Sequence, residues 1–448
     1  MNMLKRFTSY SFATLLTIIL LQAYSCKEEI VPKAFHPRSD HEAYLHSLEE
    51  ASLLEAALGR DWQQMAEQCL EHPVQINTPH QESFYFQETE AEANAYRFDA
   101  RRGQKIQVNV DRENAGTMRL FIDLFRISTD DHTHVLTHIA SSDQMKHRLA
   151  FEPRYDAMYI LRIQPELLRG GRLHLSIVNV PSLEFPVENG DNQDIGSFFG
   201  DPRDGGRRKH HGIDIFAKRH TPILAPTDGY IRFAGERGLG GQVVWMRDRK
   251  RDMTLYFAHL QTIIVEDDTY VKMGDTLGTV GNTGNARTTP PHLHFGIYQH
   301  GPIDPYHFVA HTRTRPETIR ADLYLLGEKV RAKTMTTLEG IRTGSDDGLV
   351  ALDRFQLLEI ESAYADRYRV KLPNGAVGSI GMNAVEPITE PLHLAYLPDR
   401  FTLVDQPTDQ HTIIEETVAE KVTVLAKDTA HWYVRSDSGY LGWVQVVP

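Results

Sequence analysis

The side chains best placed to do chemistry are histidines, of which the 448 residues contain 22. At that abundance chance gives roughly one His-x-His pair, so a pair alone is weak evidence for a metal. His132-Thr133-His134, flanked by Asp130, Asp131 and His138, reads as a solvated turn. His292-Leu293-His294 differs because it opens an apolar run that continues through Phe295 and Ile297. Side chains two apart on a strand share a face, which puts His292, His294 and Gly296 on one side and Leu293, Phe295 and Ile297 on the other. The apolar side is candidate core, and the polar side carries two imidazoles beside a glycine. A third group is needed for a metal, and His210 and Asp214 are candidates from the segment His210-His211-Gly212-Ile213-Asp214. Zinc accepts imidazole nitrogen and carboxylate oxygen in a tetrahedral shell, and a catalytic site leaves the fourth position to water, so three protein ligands suffice.

These residues must be carried by strands and tight turns. Asp214-Ile215-Phe216, Gln242-Val243-Val244-Trp245-Met246 and Thr254-Leu255-Tyr256-Phe257-Ala258 are short apolar strands between glycine turns, the pattern of an all-β body with functional loops. The glycine at 212 is expected to let the backbone turn tightly between ligands.

His210-x-Gly212-x-Asp214, Phe257-Ala258-His259-Leu260 and Pro291-His292-Leu293-His294-Phe295 occur in that order. Together they resemble the three motifs of the lysostaphin-type zinc metallopeptidases, which cut the peptide part of bacterial peptidoglycan. The resemblance spans roughly residues 195 to 310 and includes Ser197-Phe198-Phe199-Gly200, Ala225-Pro226-Thr227-Asp228-Gly229, Gly274-Asp275-Thr276-Leu277-Gly278 and Gly281-Asn282-Thr283-Gly284. Carried over by position, it implies Zn2+ held by His210, Asp214 and His294, with His292 as general base and His259 stabilising the transition state. His211 is not a ligand on this reading. Phe257 stands where the family often has tyrosine, and His220 where glycine commonly precedes Thr-Pro; neither supplies a ligand.

Ahead of this segment, Lys5 and Arg6 precede the apolar run Phe12–Leu21, which has the length of a signal-peptide core and is too short to span a bilayer comfortably. Leu21-Gln22-Ala23-Tyr24-Ser25-Cys26 resembles a lipoprotein lipobox, implying a lipid anchor at Cys26 and an envelope location at the outer membrane. Cys69 is then the one remaining cysteine, so no internal disulfide is expected. The net charge of -12 excludes a general nucleic-acid binder.

The fold class expected is mainly β and multidomain. Residues 1–26 form the signal and lipobox, 27–72 a helical segment broken near Gly59, and 73–180 a β-sandwich resembling secreted jelly rolls. Pro181 to Gly190 reads as a linker, and 190–311 as the lysostaphin-type peptidase domain. Modules 320–388 and 392–448 resemble bacterial SH3-like barrels. Their internal repeat sets Tyr368-Arg369-Val370 and Gly375 to Ile380 against Trp432-Tyr433-Val434 and Gly439 to Val444. Trp432 and Tyr433 are either ligands for wall polymer or barrel core.

The leading expectation is a zinc endopeptidase acting on stem-peptide cross-links. The alternative is a catalytically silent wall-binding scaffold or activator of a cell-wall amidase, with an amidase or divisome partner. A metal-storage lipoprotein, suggested by the histidine count alone, comes third.

Overall fold

The computed structural model describes residues 39–113, 118–130, 133–142, 146–312, 315–342, 349–408 and 411–446. The signal segment, Cys26 and His132 lie outside the described residues. No described helix is long and apolar enough to cross a membrane.

Two helices, Asp40–Glu50 and Ala57–Glu71, open the described chain. The break between them falls at Ser52, which has φ 55°, and Gly59 sits inside the second helix. Gly59 is there for closeness: a Cβ on it would lie 2.1 Å from the Leu53 carbonyl oxygen. The helices pack on a sheet through Leu48, Trp62 and Phe121, and the Trp62 indole N–H donates to the Pro165 carbonyl at 2.8 Å.

That sheet has the order Val74–Gln75, Asn94–Ala100, Ala157–Pro165, Leu120–Asp130, Thr133–Ser141. It faces a second sheet containing His80–Phe86, Gly171–Pro181, Gln104–Arg112 and Arg148–Phe151. Ile106, Val108 and Val110, with Leu173, Leu175 and Ile177 on the neighbouring strand, alternate inward against Tyr96, Phe98, Ile122, Leu161 and Ile163 of the first sheet, making a sandwich core.

The stretch read as a linker is part of the next core. Leu183, Phe185 and Val187 are buried with Ile213, Ile223 and Phe308, and Val187 bridges to Ile223. The period-two signal Leu-x-Phe-x-Val was present, but Pro186 and Gly190 drew the reading toward a loop. The body that follows is a sheet ordered Ile195–Ser197, Ile213–Phe216, His292–Tyr298, Met253–Ile263, Gln242–Asp248, Gly229–Glu236, Tyr270–Val271.

Among the described residues, the strands of 320–388 do not close into a barrel of their own. Strand Leu357–Tyr364 pairs with His80–Phe86, setting Ser83 opposite Ala363 and Phe84 opposite Ser362, so this sheet runs on into the sandwich. A buried Arg369–Glu82 pair at 2.6 Å clamps the junction. Pairing between distant edges depends on the partner's exposed strand, which the sequence of either alone does not announce. In contrast, strands His393–Val404, Ile413–Lys427, His431–Arg435 and Leu441–Gln445 close on themselves where Val404 meets Trp443. The repeat is visible as two hairpins of equal register: Tyr368 pairs with Ile380, and Trp432 with Val444. Their turns place Gly375 and Gly439 at φ 83° and 90°, where only glycine is unstrained. Tyr433 is buried against Trp443, and Trp432 packs on the barrel core, so both rings serve packing.

Candidate metal centre and catalytic groove

Strand Ile213–Phe216 lies antiparallel to His292–Tyr298, which sets Asp214 opposite His294 and Phe216 opposite His292. Leu293, Phe295 and Ile297 are fully buried in the body's core, so strand alternation forces His292 and His294 to the other face. His210 joins from a loop fixed at both backbone ends: its N–H donates to the Asp201 carbonyl and its carbonyl accepts from the Gly200 N–H, each at 2.8 Å.

The three side chains converge. His210 Nε2 and His294 Nδ1 lie 3.0 and 2.9 Å from Asp214 Oδ1, and 2.9 Å from each other. Tetrahedral ligands at about 2.1 Å from zinc are about 3.4 Å apart, so each edge of the triangle needs to open by only about 0.4–0.5 Å. The donor set and its spacing therefore fit a zinc-sized ion.

Surrounding bonds set which atoms face inward. His210 Nδ1–H donates to the Phe198 carbonyl at 2.9 Å, leaving Nε2 for a metal. The second Asp214 oxygen accepts from Arg203 Nη2 at 2.9 Å. Burial works against ionisation of Asp214, yet its contacts with His210 and His294 hold its carboxyl well below the usual range. Burial pushes the His294 imidazole down, with Asp214 opposing. A carboxylate and neutral imidazoles are the protonation states a metal requires.

Gly212 does its work by closeness rather than by an unusual turn. A Cβ there would lie 2.4 Å from the Phe295 carbonyl oxygen and 2.8 Å from His294 Cε1. The tight-turn reason inferred from sequence is replaced by this one: the loop crosses directly over the His294 ring.

The two non-ligand imidazoles stand alongside, with ring centroids of His259 and His292 5.1 Å apart and of His259 and His294 6.0 Å apart. His292 Nδ1–H donates to the Pro290 carbonyl and His259 Nδ1–H to the Thr283 carbonyl, each at 2.9 Å. In both rings Nε2 is left for chemistry. Burial, helped by His292 and His294, lowers the His259 imidazole to about 4. His259 also sits at φ 66°, at a bulge where the register of Met253–Ile263 against Gln242–Asp248 shifts. A bulge re-aims the side chain it carries, at the cost of backbone strain. The motif placed His259 at the site, but nothing in it indicated this strain.

His211 is exposed and stacks near Phe199, outside the triangle. Phe257 is fully buried against Phe295. His220 adopts φ 72°, the conformation a glycine there would take freely. Sequence reading passed over Arg203 and the Thr283 and Pro290 carbonyls. Arg203 had a signal, its place between Gly200 and His210, whereas backbone acceptors have none.

The site opens into a groove of about 890 Å³ lined by residues between Ser197 and Tyr298. Its lining includes Tyr256, Tyr298 and Leu239, and the basic side chains Arg203, Arg207, Arg208 and Lys209.

Residues 208–305 match the model of Peptidase family M23. The chain is 39% identical over 116 residues to the DD-carboxypeptidase/endopeptidase Mpg of Neisseria meningitidis, covering 26% of this chain and 25% of that protein. It is 33% identical over 135 residues to the L-Ala–D-Glu endopeptidase of Bacillus subtilis, covering 27% and 41%. Among solved structures it is similar to the catalytic domain of lysostaphin from Staphylococcus simulans, at 30% identity, 25% and 89% coverage and a TM-score of 0.23. The chain thus spans between a quarter and about two fifths of the length of these two curated relatives.

Proposed function

We propose that this chain, which is similar to Peptidase family M23 over residues 208–305, is a zinc-dependent endopeptidase that hydrolyses peptide cross-links of peptidoglycan in the bacterial envelope. The observation that carries the reading is the convergence of His210, Asp214 and His294 within bonding reach of one ion, with His259 and His292 beside them in an open groove. The relatives named DD-carboxypeptidase/endopeptidase and L-Ala–D-Glu endopeptidase support the substrate class.

Zinc, when bound by His210, Asp214 and His294, would supply Lewis acidity and a water of lowered pKa. The chain's own part is proton movement and orientation. His292 Nε2, free because Nδ1–H is committed to Pro290, accepts the proton of the attacking water and returns it to the leaving amine. His259 has the same tautomer, so its Nε2 donates to a developing oxyanion only after taking up a proton there. Arg203 keeps Asp214 turned so that Oδ1 faces the histidines. A lipid anchor at Cys26 would hold the enzyme at the membrane within reach of the wall, and the closed C-terminal barrel of strands His393–Val404 to Leu441–Gln445 is proposed as an SH3-like wall-binding unit.

The test is digestion of purified sacculi and defined muropeptides, with products identified by mass. Wild-type protein releases cross-link products and His294→Ala loses nearly all turnover. Folded, zinc-loaded protein that releases none, yet activates an amidase, would establish the scaffold reading instead.

A further inference from the structure

The groove has one charged wall. Its cationic groups are Arg203, Arg207, Arg208 and Lys209, all from a single hairpin in which Pro202 pairs with Lys209 and Arg203 with Arg208. Among the described residues the lining has one carboxylate, Asp214, engaged by His210, His294 and Arg203. Leu239, Gly240, Asn285, Ala286 and Thr289, which also line the groove, are neutral. In a chain of net charge -12, the segment 203–209, with four cations and the single acid Asp204, is a local reversal of sign. Such a wall concentrates anions near the reacting centre.

The hairpin is also joined to the metal ligands. Arg203 bonds Asp214, and Lys209 is the chain neighbour of His210, whose backbone is bonded to Gly200 and Asp201. The root of the hairpin is pinned by Asp201, whose carboxylate accepts from the Phe198 N–H at 2.8 Å and the Ser197 hydroxyl at 3.1 Å. Arg208 is two residues from His210, or about 7 Å along an extended chain. Arg208 and Lys209 therefore line the groove close to the candidate ligand His210, within reach of a peptide bound in it.

We infer that the Pro202–Lys209 hairpin is the specificity wall of the groove, selecting peptides that carry a free carboxylate near the bond cut. The inference rests on the peptidase reading above and names its substrate class: anionic stem peptides, with their amidated forms disfavoured. Arginine and lysine recognise carboxylates by charge-assisted hydrogen bonds that a carboxamide cannot replace.

The experiment compares full-length protein on two cross-linked muropeptides that differ only in having free stem carboxylates or their carboxamides. Wild type is expected to prefer the carboxylate form at least tenfold in kcat/KM, mostly through KM, and to lose this preference as salt is raised. In Arg208→Glu/Lys209→Glu protein, with zinc content verified by elemental analysis, the ratio falls to about one or below. Equal wild-type cleavage of the two forms overturns the inference and leaves the peptidase reading standing. Cleavage of neither by zinc-loaded wild type overturns the peptidase reading itself. Should the double variant fail to hold zinc, the salt dependence of the wild-type ratio decides, and a ratio unchanged by salt counts against the hairpin.

Discussion

Replacing Gly212 with alanine tests the geometry of the metal site without touching any ligand. The added Cβ would stand 2.4 Å from the Phe295 carbonyl oxygen and 2.8 and 2.9 Å from Cε1 and Nε2 of His294. Carbon and oxygen normally approach no closer than about 3.3 Å, so the clash with the carbonyl is about 0.9 Å. The strand bearing Phe295 cannot yield easily, because Ile213–Phe216 and Met253–Ile263 hold it from both sides. The 210–212 loop must move instead, taking His210 with it. Overpacking of this kind costs about 1–3 kcal/mol in the metal-free protein. Displacing a ligand should weaken zinc by about 10–100-fold, as loss of a supporting contact does. At fixed excess zinc, a hundredfold weaker site gives up about 2.7 kcal/mol of the ion's stabilisation. The assay is thermal unfolding with and without zinc, alongside competition against a chelator. Gly301→Ala is the control, because a Cβ there meets nothing within 4 Å. A Gly212→Ala protein that binds zinc within threefold of wild type, with the same melting behaviour, would refute the close-approach argument.

Other consequences follow from single contacts. Arg203→Ala should weaken zinc about 10–100-fold in chelator competition, with Arg203→Lys recovering part of the loss, since the guanidinium fixes the outer oxygen of Asp214. His259→Gly should be about 1 kcal/mol more stable than His259→Ala, because glycine accepts φ 66° without strain, while both lose about 10²–10⁴ in kcat. Burial raises the Glu92 carboxyl to about 7. Its folded-state pKa thus exceeds its unfolded value, so its contribution is full below about 4 and is lost as pH rises through about 7. Glu92→Gln should accordingly stabilise the protein by about 1–3 kcal/mol at pH 8 relative to its effect at pH 4, read from denaturant midpoints. Arg369→Ala strands a fully buried Glu82 and should cost about 3–5 kcal/mol, seen as early unfolding at the sandwich junction.

The metal site was legible because it is written in local spacing. His292 and His294 share a strand face by period two, and the three motifs are each short enough to be read as continuous strings. What escaped was non-local or conformational. The bulge at His259 depends on how two strands register, and the Thr283 and Pro290 carbonyls belong to backbone that any residue supplies. The helix break was misplaced for a related reason: Gly59 was taken as a breaker, whereas its neighbour across space is the Leu53 carbonyl. The run-on sheet joining Ser83 to Ala363 bridges 280 positions, and no pattern within either strand specifies the other.

The attachments between bodies bear on who controls the groove. Arg251 bonds Glu152 at 2.7 Å and the Ser182 carbonyl at 2.6 Å, and the side chain of Arg102 bonds that of Gln299. Gln299 lies five residues beyond His294, about 17 Å along the strand, so the sandwich is fastened away from the metal ligands. Among the described residues, none of the groove lining comes from the sandwich or the C-terminal modules. Access is therefore set by the walls of the body itself, and they are unequal. On the neutral side, a Cβ on Gly241 would meet the Gly284 nitrogen at 2.3 Å and one on Gly284 the Leu239 carbonyl oxygen at 2.3 Å, so two turns are packed backbone to backbone. On the basic side, Cβ atoms on Gly205 and Gly206 at the hairpin tip would meet nothing within 4 Å. The neutral turns are held by close backbone packing, and the basic hairpin by its strand pairing and by the bonds of Asp201 and Arg203. Selectivity on this arrangement belongs to the hairpin, while bond alignment belongs to the strands beneath it.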